Sequence, residues 1–310
     1  MRFFITLLTA FTLTLGLGAP VQSAAPNPSS QKGSLLEQNL LSAYSQGTTS
    51  QPTQSSEARS YISTDVDLND SIQLGKIFTR NDVAVIIGIE EYLSLPSVEF
   101  AYNDSRLIKE YLVRLGMEER NIRYIKNNLA TQSAFKVAIE NWLPDVVNRS
   151  SKVLVYFSGH GAPEPTTGSA YLVPYDGDPS YLEDTSYSTS RLYAQLARLD
   201  VAQVNVMLDS CFSGLGERSV IAEGTRAITI QRKTPTLDPK MAVLSAASDK
   251  QISTSYPEKG HGVFTYFVLK ALKDGAQDLH EIYLASKDEI TNTARRKNVD
   301  QTPVYLGKGG

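Results

Sequence analysis

The stretch VLVYFSGHG, residues 153–161, gives one of the two clearest strand signals in the chain. Its five apolar residues run without interruption and then end in Ser158, Gly159, His160 and Gly161. A short, continuous apolar run is typical of a strand that is buried on both faces of a parallel sheet. Since open α/β sheets bind ligands beyond the carboxyl ends of their strands, we expect a functional site where this run ends.

The second clear strand signal is VNVML, residues 204–208, which leads directly into DSCFSG, residues 209–214. This hexapeptide contains Cys211, the only cysteine among 310 residues. If the two strands are parallel neighbours, Cys211 and His160 emerge at the same edge of the sheet. A thiolate is the nucleophilic form of cysteine, and a nearby imidazole can lower the thiol pKa and protonate a leaving amine. The pair predicts a Cys–His catalytic site; a satisfied loop histidine and a small buried cysteine are the alternative.

The rest of the chain alternates strand patterns with helix patterns. Further apolar runs are VAVII (83–87), IRYI (122–125) and MAVLSAA (241–247). Apolar residues recur at helical spacing in three segments: Leu107, Ile108, Tyr111, Leu112 and Leu115; Phe135, Ala138, Ile139, Trp142 and Val146; and Val263, Phe264, Phe267, Val268, Ala271 and Leu272. This alternation predicts one α/β domain with a mostly parallel sheet and helices on both of its faces.

The first 75 residues are predicted to precede this domain, which we place at 76–310. Residues 1–23 combine Arg2, an apolar run and small residues, a pattern typical of a cleaved secretory signal peptide, with a retained membrane anchor as the alternative. Residues 24–75 are rich in polar residues and predict a mobile leader, because such a segment buries little apolar surface. We expect an exported protein, periplasmic or secreted, without stable membrane insertion after signal removal.

Composition and spacing argue against two other classes of function. The formal net charge is −3, with 30 basic and 33 acidic residues, so nothing predicts nucleic-acid binding. A zinc site built on Cys211 and His160 lacks a second cysteine, and His261 and His280 have no closely spaced partner. In an exported chain, a lone thiol is instead a candidate nucleophile or an intermolecular disulfide partner.

The two strand ends carry a resemblance to a known family. YFSGHG, followed about fifty residues later by LDSCFSG, resembles the histidine and cysteine boxes of the caspase-like cysteine peptidases. The form is closer to that of metacaspases and their bacterial relatives than to that of animal caspases. Further pieces in the family's order are VIIGIEEY, AYNDSRLIKEYL, YLVPYDGDP, LSAASDKQIS and GHGVFTYFVLKAL. The resemblance covers residues 80–308.

This resemblance implies a caspase-haemoglobinase fold, a three-layer sandwich with a mainly parallel six-stranded sheet flanked by helices. It implies that Cys211 is the nucleophile and His160 the general base and acid, with the backbone N–H groups of Gly161 and Cys211 as the oxyanion hole. The expected function is that of an exported cysteine endopeptidase that works through an acyl-enzyme and requires no cofactor. A catalytically silent binding domain and a non-peptidase thiol acyltransferase are the alternatives.

Three further residues match the pattern with which metacaspases bind a basic side chain: Asp104, Ser158 and Asp209. Two carboxylates and a hydroxyl can hold a guanidinium by charge-assisted hydrogen bonds, so we expect Arg or Lys before the scissile bond of the protein or peptide substrate. Asp104 would also suit a helix N-terminus, and Asp209 could instead brace its loop by accepting backbone N–H bonds.

Residues 214–240 interrupt the alternation and carry no clear element. They fall where caspase-like chains separate into a large and a small portion, and long loops inside compact domains are usually functional or mobile. Self-cleavage is expected after one of the basic residues Arg218, Arg226, Arg232 and Lys233. An ordinary solvated loop is the alternative.

A cluster of acidic residues follows the YLVP piece: Asp176, Asp178, Glu183 and Asp184. Carboxylate oxygens are ligands that Ca²⁺ prefers, and many metacaspases are activated by calcium. The resemblance therefore makes Asp176, Asp178 and Asp184 candidate ligands of a calcium ion. A solvent-exposed loop that binds no ion is the alternative.

Overall fold

The computed structural model describes residues 63–163, 170–213, 218–219, 237–248 and 251–308. The predicted signal peptide at 1–23 and most of the predicted leader lie outside the described residues. The same holds for three of the four predicted self-cleavage residues, which are Arg226, Arg232 and Lys233. These predictions stay predictions.

The strands follow the predicted apolar runs and add several short pieces around them. Within the described residues they are β1 Val83–Gly88, β2 Ile122–Lys126, β3 Lys152–Ser158, β4 Gly161–Pro163, β5 Ala170–Leu172, β6 Tyr187–Ser188, β7 Gln203–Asp209, β8 Met241–Ser245, β9 Ser255–Tyr256, β10 His261–Gly262 and β11 Val304–Leu306. The five predicted runs thus correspond to β1, β2, β3, β7 and β8.

The helices comprise the three predicted segments and others that lack a clear apolar period. They are α1 Ala101–Arg114, α2 Gln132–Lys136, α3 Leu143–Val146, α4 Leu182–Thr185, α5 Thr189–Ala197, α6 Val263–Lys273 and α7 Leu279–Arg296. A π-helical segment, Val137–Trp142, joins α2 to α3. The predicted helix over 135–146 is therefore not uniform, and Pro144 contributes to this because it has no N–H to donate to the preceding turn. Short 3₁₀ turns lie at Glu119–Asn121, Asn127–Leu129, Pro179–Tyr181 and Pro257–Lys259.

Six strands form the central sheet in the order β11-β8-β7-β3-β1-β2. Strands β8, β7, β3, β1 and β2 are parallel to their neighbours, whereas β11 pairs antiparallel with β8. The expected α/β class with a mainly parallel six-stranded sheet is therefore confirmed. Strands β3 and β7 lie next to each other, and their last residues, Ser158 and Asp209, are partners in the register.

Each face of the sheet is covered by its own apolar cluster. Along β1 and β3, Ile86 and Tyr156 face the side covered by α1, α6 and α7, whereas Val85 and Phe157 face the side covered by α2, α3 and α5. All four side chains are at most 1% exposed. Burial of a large apolar side chain stabilises the fold by about 1.5–3 kcal/mol, so these two clusters hold the helices against the sheet as three layers.

Helix α1 packs unusually close to the centre of the sheet. A Cβ atom added at Gly88, the last residue of β1, would lie 2.0 Å from Oγ of Ser105 and 2.8 Å from the carbonyl oxygen of Ala101. Only glycine fits such a contact, since real Cβ atoms do not approach other atoms so closely. The close approach places the start of α1, including Asp104, beside the carboxyl ends of β1 and β3.

The described end of the predicted leader packs against this domain. Val66 is fully buried, and the hydroxyl of Tyr111 on α1 donates to its carbonyl oxygen over 2.6 Å. Asp65 forms an ion pair with Lys259 at 2.9 Å and accepts a hydrogen bond from the hydroxyl of Tyr266 at 2.8 Å. The boundary at residue 75 stays a prediction, but residues 65–66 contribute to the packed structure.

Candidate active site

The carboxyl ends of β3 and β7 bring the predicted catalytic residues to one edge of the sheet. The SGHG turn follows β3, and Cys211 lies two residues beyond the end of β7. A Cβ atom at Gly161 would lie 2.5 Å from the carbonyl oxygen of Cys211, so the two loops touch at this point. The structure thus brings together the segments that carry His160 and Cys211, as the sequence predicts.

Three predicted specificity residues, Asp104, Ser158 and Asp209, also converge, and we call them the guanidinium pocket. All three are fully buried. The side chain that they surround is that of Arg218, which is itself only 1% exposed. A basic residue of the same chain therefore occupies the place where the sequence predicts a substrate side chain.

The guanidinium of Arg218 contacts every member of the pocket. Its Nη1 lies 3.0 Å from Oδ1 of Asp209 and donates to Oγ of Ser158 over 3.2 Å. Its Nη2 lies 3.5 Å from Oδ2 of Asp104 and donates to the carbonyl oxygen of Glu99 over 2.9 Å. Burial opposes the positive charge, but the two carboxylates hold the pKa of Arg218 above its ordinary value. The pocket thus receives both ends of the guanidinium fork.

The backbone of Arg218 is held as well. Its carbonyl oxygen accepts hydrogen bonds from the N–H groups of Gly161 at 3.0 Å and Cys211 at 3.3 Å. These are the two groups that the family resemblance designates as the oxyanion hole. Ser219, the next residue, forms a parallel bridge with Gly161. Residues 218–219 therefore lie across the strand ends in the manner of a bound peptide, with Arg218 on its amino side.

Asp209 is oriented by two hydroxyl groups from the chain that follows β8. Oγ of Ser253 donates to its Oδ1 over 2.7 Å, and Oγ1 of Thr265 donates to its Oδ2 over 2.7 Å. The hydroxyl of Tyr156 lies 2.7 Å from the same threonine oxygen. The carboxylate therefore cannot rotate freely, and Oδ1 is held towards the guanidinium.

Asp104 is held by a second set of donors, from His261 and Gly262. Burial raises its pKa above the ordinary value, although the hydrogen bond and charge of His261 and the charge of Arg218 act in the opposite direction. His261 Nδ1 lies 2.8 Å from Oδ1, and the backbone N–H of Gly262 reaches Oδ1 at 3.2 Å and Oδ2 at 3.1 Å. His261, which the sequence did not assign to the site, thus contacts a member of the pocket.

His160 is held at one ring nitrogen and open at the other. Its Nε2 lies 2.8 Å from the carbonyl oxygen of Pro96, which can only accept, so Nε2 carries the proton. Its backbone N–H donates to the hydroxyl of Tyr92 over 2.7 Å, and the two rings lie 4.7 Å apart. Nδ1 is buried and has no hydrogen-bond partner among the described residues. Its lone pair is therefore available to a substrate or to the thiol.

Both members of the candidate dyad are uncharged at neutral pH in this arrangement. Burial lowers the pKa of His160 to about 4 and raises the pKa of Cys211 to about 12. The sulfur accepts the backbone N–H of Ser253 at 2.5 Å and is fully buried. Burial thus favours a neutral thiol and a neutral imidazole over a thiolate–imidazolium pair.

The candidate calcium residues lie apart from this site and make structural contacts. Oδ1 of Asp176 accepts the backbone N–H of Gln132 at 3.0 Å, and Oδ1 of Asp178 accepts that of Ser180 at 2.8 Å. The carbonyl oxygen of Asp184 accepts the side-chain amide of Gln132 at 2.6 Å. Across the described parts of the chain, no group of three or more His, Cys, Asp or Glu residues is arranged to hold a metal ion. Calcium binding stays a prediction.

The chain is similar to a known family over most of its length. The model of the caspase domain matches residues 81–308. The chain belongs to the caspase domain family. This membership supports a caspase-family peptidase that acts on proteins. The matched range covers β1 to β11 together with both strand-end loops.

Two solved structures are similar to this caspase-family chain, and the first of them, with a TM-score above 0.5, supports its fold. The crystal structure of protein GSU0716 from Geobacter sulfurreducens is 20% identical, with a TM-score of 0.54, over 74% of this chain and 95% of that chain. Caspase-1 from Spodoptera frugiperda is 13% identical, with a TM-score of 0.46, over 80% of this chain and 94% of that chain. No curated protein matches the chain at a significant level.

None of the helices in the described ranges is both long enough and apolar enough to cross a bilayer.

Sequence reasoning missed four residues of the site: Tyr92, Pro96, Glu99 and His261. The first three lie between β1 and α1, in a segment with no regular period, and two of them contribute only carbonyl oxygens. A backbone carbonyl has no signature in the residue type. His261 did have a signal, because it lies in the GHGVF piece, but no spacing rule connects it with Asp104, which lies 157 residues away.

Proposed function

We propose that this chain is a cysteine endopeptidase that cleaves after a basic residue, Arg or Lys, with Cys211 as nucleophile and His160 as general base and acid. The observation that carries the proposal is the position of Arg218. Its side chain fills the guanidinium pocket while its carbonyl oxygen accepts the two N–H groups of Gly161 and Cys211. Export, and any response to calcium, belong to the proposal on sequence grounds alone.

The chemistry begins with attack by the sulfur of Cys211 on the substrate carbonyl carbon. As the S–C bond forms, the thiol proton passes to Nδ1 of His160, whose Nε2–H is held by the carbonyl oxygen of Pro96. The carbonyl electron pair moves onto oxygen, where the N–H groups of Gly161 and Cys211 stabilise the negative charge.

The tetrahedral adduct then collapses to a thioester. The C–N bond breaks, and the departing amine takes the proton from Nδ1 of His160. A water molecule next attacks the thioester and gives its proton to the same nitrogen. The S–C bond breaks, Nδ1 of His160 returns the proton to the sulfur, and the carboxylic acid product releases its remaining proton to solvent and leaves as a carboxylate. Burial raises the pKa of the Cys211 thiol, which favours transfer of its proton during the attack rather than before it.

The pocket supports a basic residue on the amino side of the scissile bond. Two buried carboxylates and a hydroxyl face one guanidinium, and an acidic side chain at this place would leave three like charges together without a counter-ion. A silent binding domain or an acyltransferase would not need residues 218–219 to be aligned with the oxyanion-hole donors.

The most direct test is hydrolysis of three otherwise identical reporter peptides that end in Arg, Lys or Asp before the reporter. The unaltered chain is expected to cleave the Arg and Lys peptides and to leave the Asp peptide intact, and Cys211→Ala is expected to cleave none. Each assay is run with calcium and with a chelator. Cleavage after Asp alone would show that the pocket is assigned wrongly, and equal rates for Cys211→Ala would remove the nucleophile.

The same arrangement supports self-cleavage between Arg218 and Ser219. Of the four predicted basic residues, Arg218 is the one within the described residues, and it already occupies both the pocket and the oxyanion-hole donors. Intact-mass measurement after purification should find fragments that end at Arg218 in the unaltered chain and a full-length chain in Cys211→Ala. Arg218→Gln should shift or abolish this cut while leaving Cys211 in place. An identical fragment pattern in all three proteins would contradict self-cleavage here.

A further inference from the structure

His261 is the one histidine that the proposed reaction does not use and that is nonetheless fully built into the site. It is 1% exposed, and its Nδ1 lies 2.8 Å from Oδ1 of Asp104. An ionised carboxylate can only accept, so Nδ1 donates. The opposite oxygen of the same carboxylate, Oδ2, faces Nη2 of Arg218 at 3.5 Å. One oxygen of Asp104 is therefore held by the histidine, and the other is turned towards the guanidinium.

The segment that carries His261 is fixed from three sides. Nδ2 of Asn103 donates to the carbonyl oxygen of Gly260 over 2.8 Å, and Gly260 turns the chain with a φ of 64°, a region that favours glycine. Gly262 places its N–H on both oxygens of Asp104, and a Cβ there would lie 2.7 Å from Oδ2 of Asp209. Such anchoring leaves His261 little freedom to swing away from Asp104.

We propose that His261 is a positioning residue of the guanidinium pocket, which holds the carboxylate of Asp104 in the orientation and the ionised form that bind an arginine side chain. The inference rests on the proposed function, since it concerns the recognition of the residue before the scissile bond. His261 does not touch the substrate; it acts through Asp104.

The physical reason lies in the cost of a buried carboxylate. A charge removed from water needs compensating donors, or it takes up a proton instead. Asp104 has three such partners: His261, the N–H of Gly262 and the guanidinium. When the pocket is empty the guanidinium is gone, so His261 becomes the main side-chain donor that keeps Asp104 ionised and aligned for the next arginine.

Several charged or titratable groups face this pair from the surrounding elements: Asp209 from β7, Arg218 from the segment across the strand ends, Tyr156 from β3 and Tyr266 from α6. The charge of Asp209 raises the pKa of Asp104, whereas that of Arg218 lowers it. In an empty pocket without the histidine, the charge of Asp209 still raises the pKa of Asp104, and the opposing effects of His261 and Arg218 are absent. Asp104 is then expected to bind a proton at a higher pH and to lose its attraction for a guanidinium.

The test uses the full chain carrying Cys211→Ala and Arg218→Ala, which can neither cut nor fill its own pocket. The probe is a capped peptide amide that ends in arginine, and its Kd is measured by calorimetry from pH 5 to pH 8. Adding His261→Ala should weaken binding by about ten-fold or more at neutral pH, as for loss of a hydrogen bond to a charged group. Binding should also fall off at a higher pH than in the parent, because Asp104 protonates more readily.

Two conservative variants separate a positioning role from a purely structural one. His261→Asn keeps an N–H donor near the place of Nδ1 and should restore most of the affinity. His261→Gln places its N–H nearer the position of Nε2, away from Asp104, and should not. His280→Asn is the matched control, because this half-buried histidine lies on α7 against Tyr305. Thermal unfolding identifies any variant that fails to fold. If His261→Ala does not fold, the comparison of His261→Asn with His261→Gln provides the test.

The outcomes distinguish this inference from the function on which it rests. If the parent binds the arginine peptide and all His261 variants bind it equally at every pH, His261 has no positioning role and the pocket remains. Equal losses in the Asn and Gln variants, without a change in pH dependence, would also overturn the inference. If the parent itself does not bind the peptide, the proposed specificity falls and the inference falls with it.

Discussion

The guanidinium pocket and the His160–Cys211 dyad lie next to each other at the same edge of the sheet, but their hydrogen bonding differs. In the pocket, both carboxylates receive donors from side chains or backbone in addition to the guanidinium. In the dyad, His160 Nδ1 and Oγ of the neighbouring Ser210 are buried without a partner among the described residues. The carboxylates of the pocket are therefore held by donors of the chain itself, whereas Nδ1 of His160 in the reacting half stays available for a transferred proton.

The difference has an electrostatic counterpart. The pocket carries formal charges of both signs that compensate one another, while burial keeps the thiol and the imidazole neutral. Removing one member of a buried ion pair leaves the other uncompensated, which costs far more than the loss of an exposed pair. Changes in the pocket should thus act through binding and stability, and changes in the dyad through chemistry and pH.

The largest effect is expected from Asp209→Asn. Asparagine has nearly the same shape as aspartate, but it removes the ion pair that Asp209 forms with Arg218 at 3.0 Å. The guanidinium in the pocket then stays buried without this partner. Breaking a buried pair costs about 3–5 kcal/mol, so kcat/KM for the Arg reporter should fall by about a hundred-fold or more, mainly through KM. Steady-state kinetics provide the measurement. An unchanged KM with a lower kcat would mean that Asp209 braces the nucleophile loop instead of binding substrate.

An intermediate effect is expected from acid, through His160. Its pKa in the folded protein is lowered by burial to about 4, from 6.5 for an ordinary histidine. Because the unfolded chain takes up this proton at a higher pH than the folded chain, the free energy of unfolding is highest above about pH 6.5. It falls as the pH drops through 4. The contribution is about 3 kcal/mol at neutral pH.

Urea unfolding at pH 7, 5.5 and 4.5 measures this contribution. The unaltered chain should lose more free energy of unfolding over that range than His160→Gln, which has no imidazole to protonate. If the free energy of unfolding falls equally with pH in the two proteins, burial does not keep His160 neutral. Comparing the two chains cancels the carboxyl groups that also titrate at these pH values.

The smallest effect is expected from an exposed pair used as a reference. Nε of Arg149 lies 2.6 Å from Oδ2 of Asp200, a shorter distance than either ion pair of Arg218, yet both side chains are largely exposed. Water and salt screen such a pair. Arg149→Ala should leave the midpoint of thermal unfolding and the kcat/KM for the Arg reporter unchanged. A loss comparable with that of Asp209→Asn would mean that distance matters more than burial.

The sequence predicted those parts of the fold in which residue type and period agree. The runs 153–157 and 204–208 became neighbouring parallel strands because a continuous apolar run has no other stable place in a sheet of this kind. Helix α7 escaped notice because small and polar residues such as Ser286 and Thr293 take buried positions on it and blur the apolar period. Strand β11 is three residues long and only half-buried, so its pattern is too short to read.

The site divides in the same way. The residues that meet in the pocket could be predicted because they match the metacaspase pattern, in which carboxylates hold a basic side chain. The occupant could be named only as one of four basic residues, since nothing in an irregular loop ranks Arg218 above Arg226, Arg232 or Lys233. Selecting it required the two N–H groups of Gly161 and Cys211, which are backbone atoms and leave no trace in the sequence.

The burial of the single sulfur has a consequence for how long the protein can be kept intact. Oxidation to sulfenic and higher acids requires an accessible thiolate, and Cys211 is fully buried with a pKa raised to about 12. In the state with Arg218 in place, the sulfur is therefore a poor target for peroxide, and it has no second cysteine with which to form a disulfide within the chain. The thiol is thus protected from oxidants for as long as the packing that buries it persists.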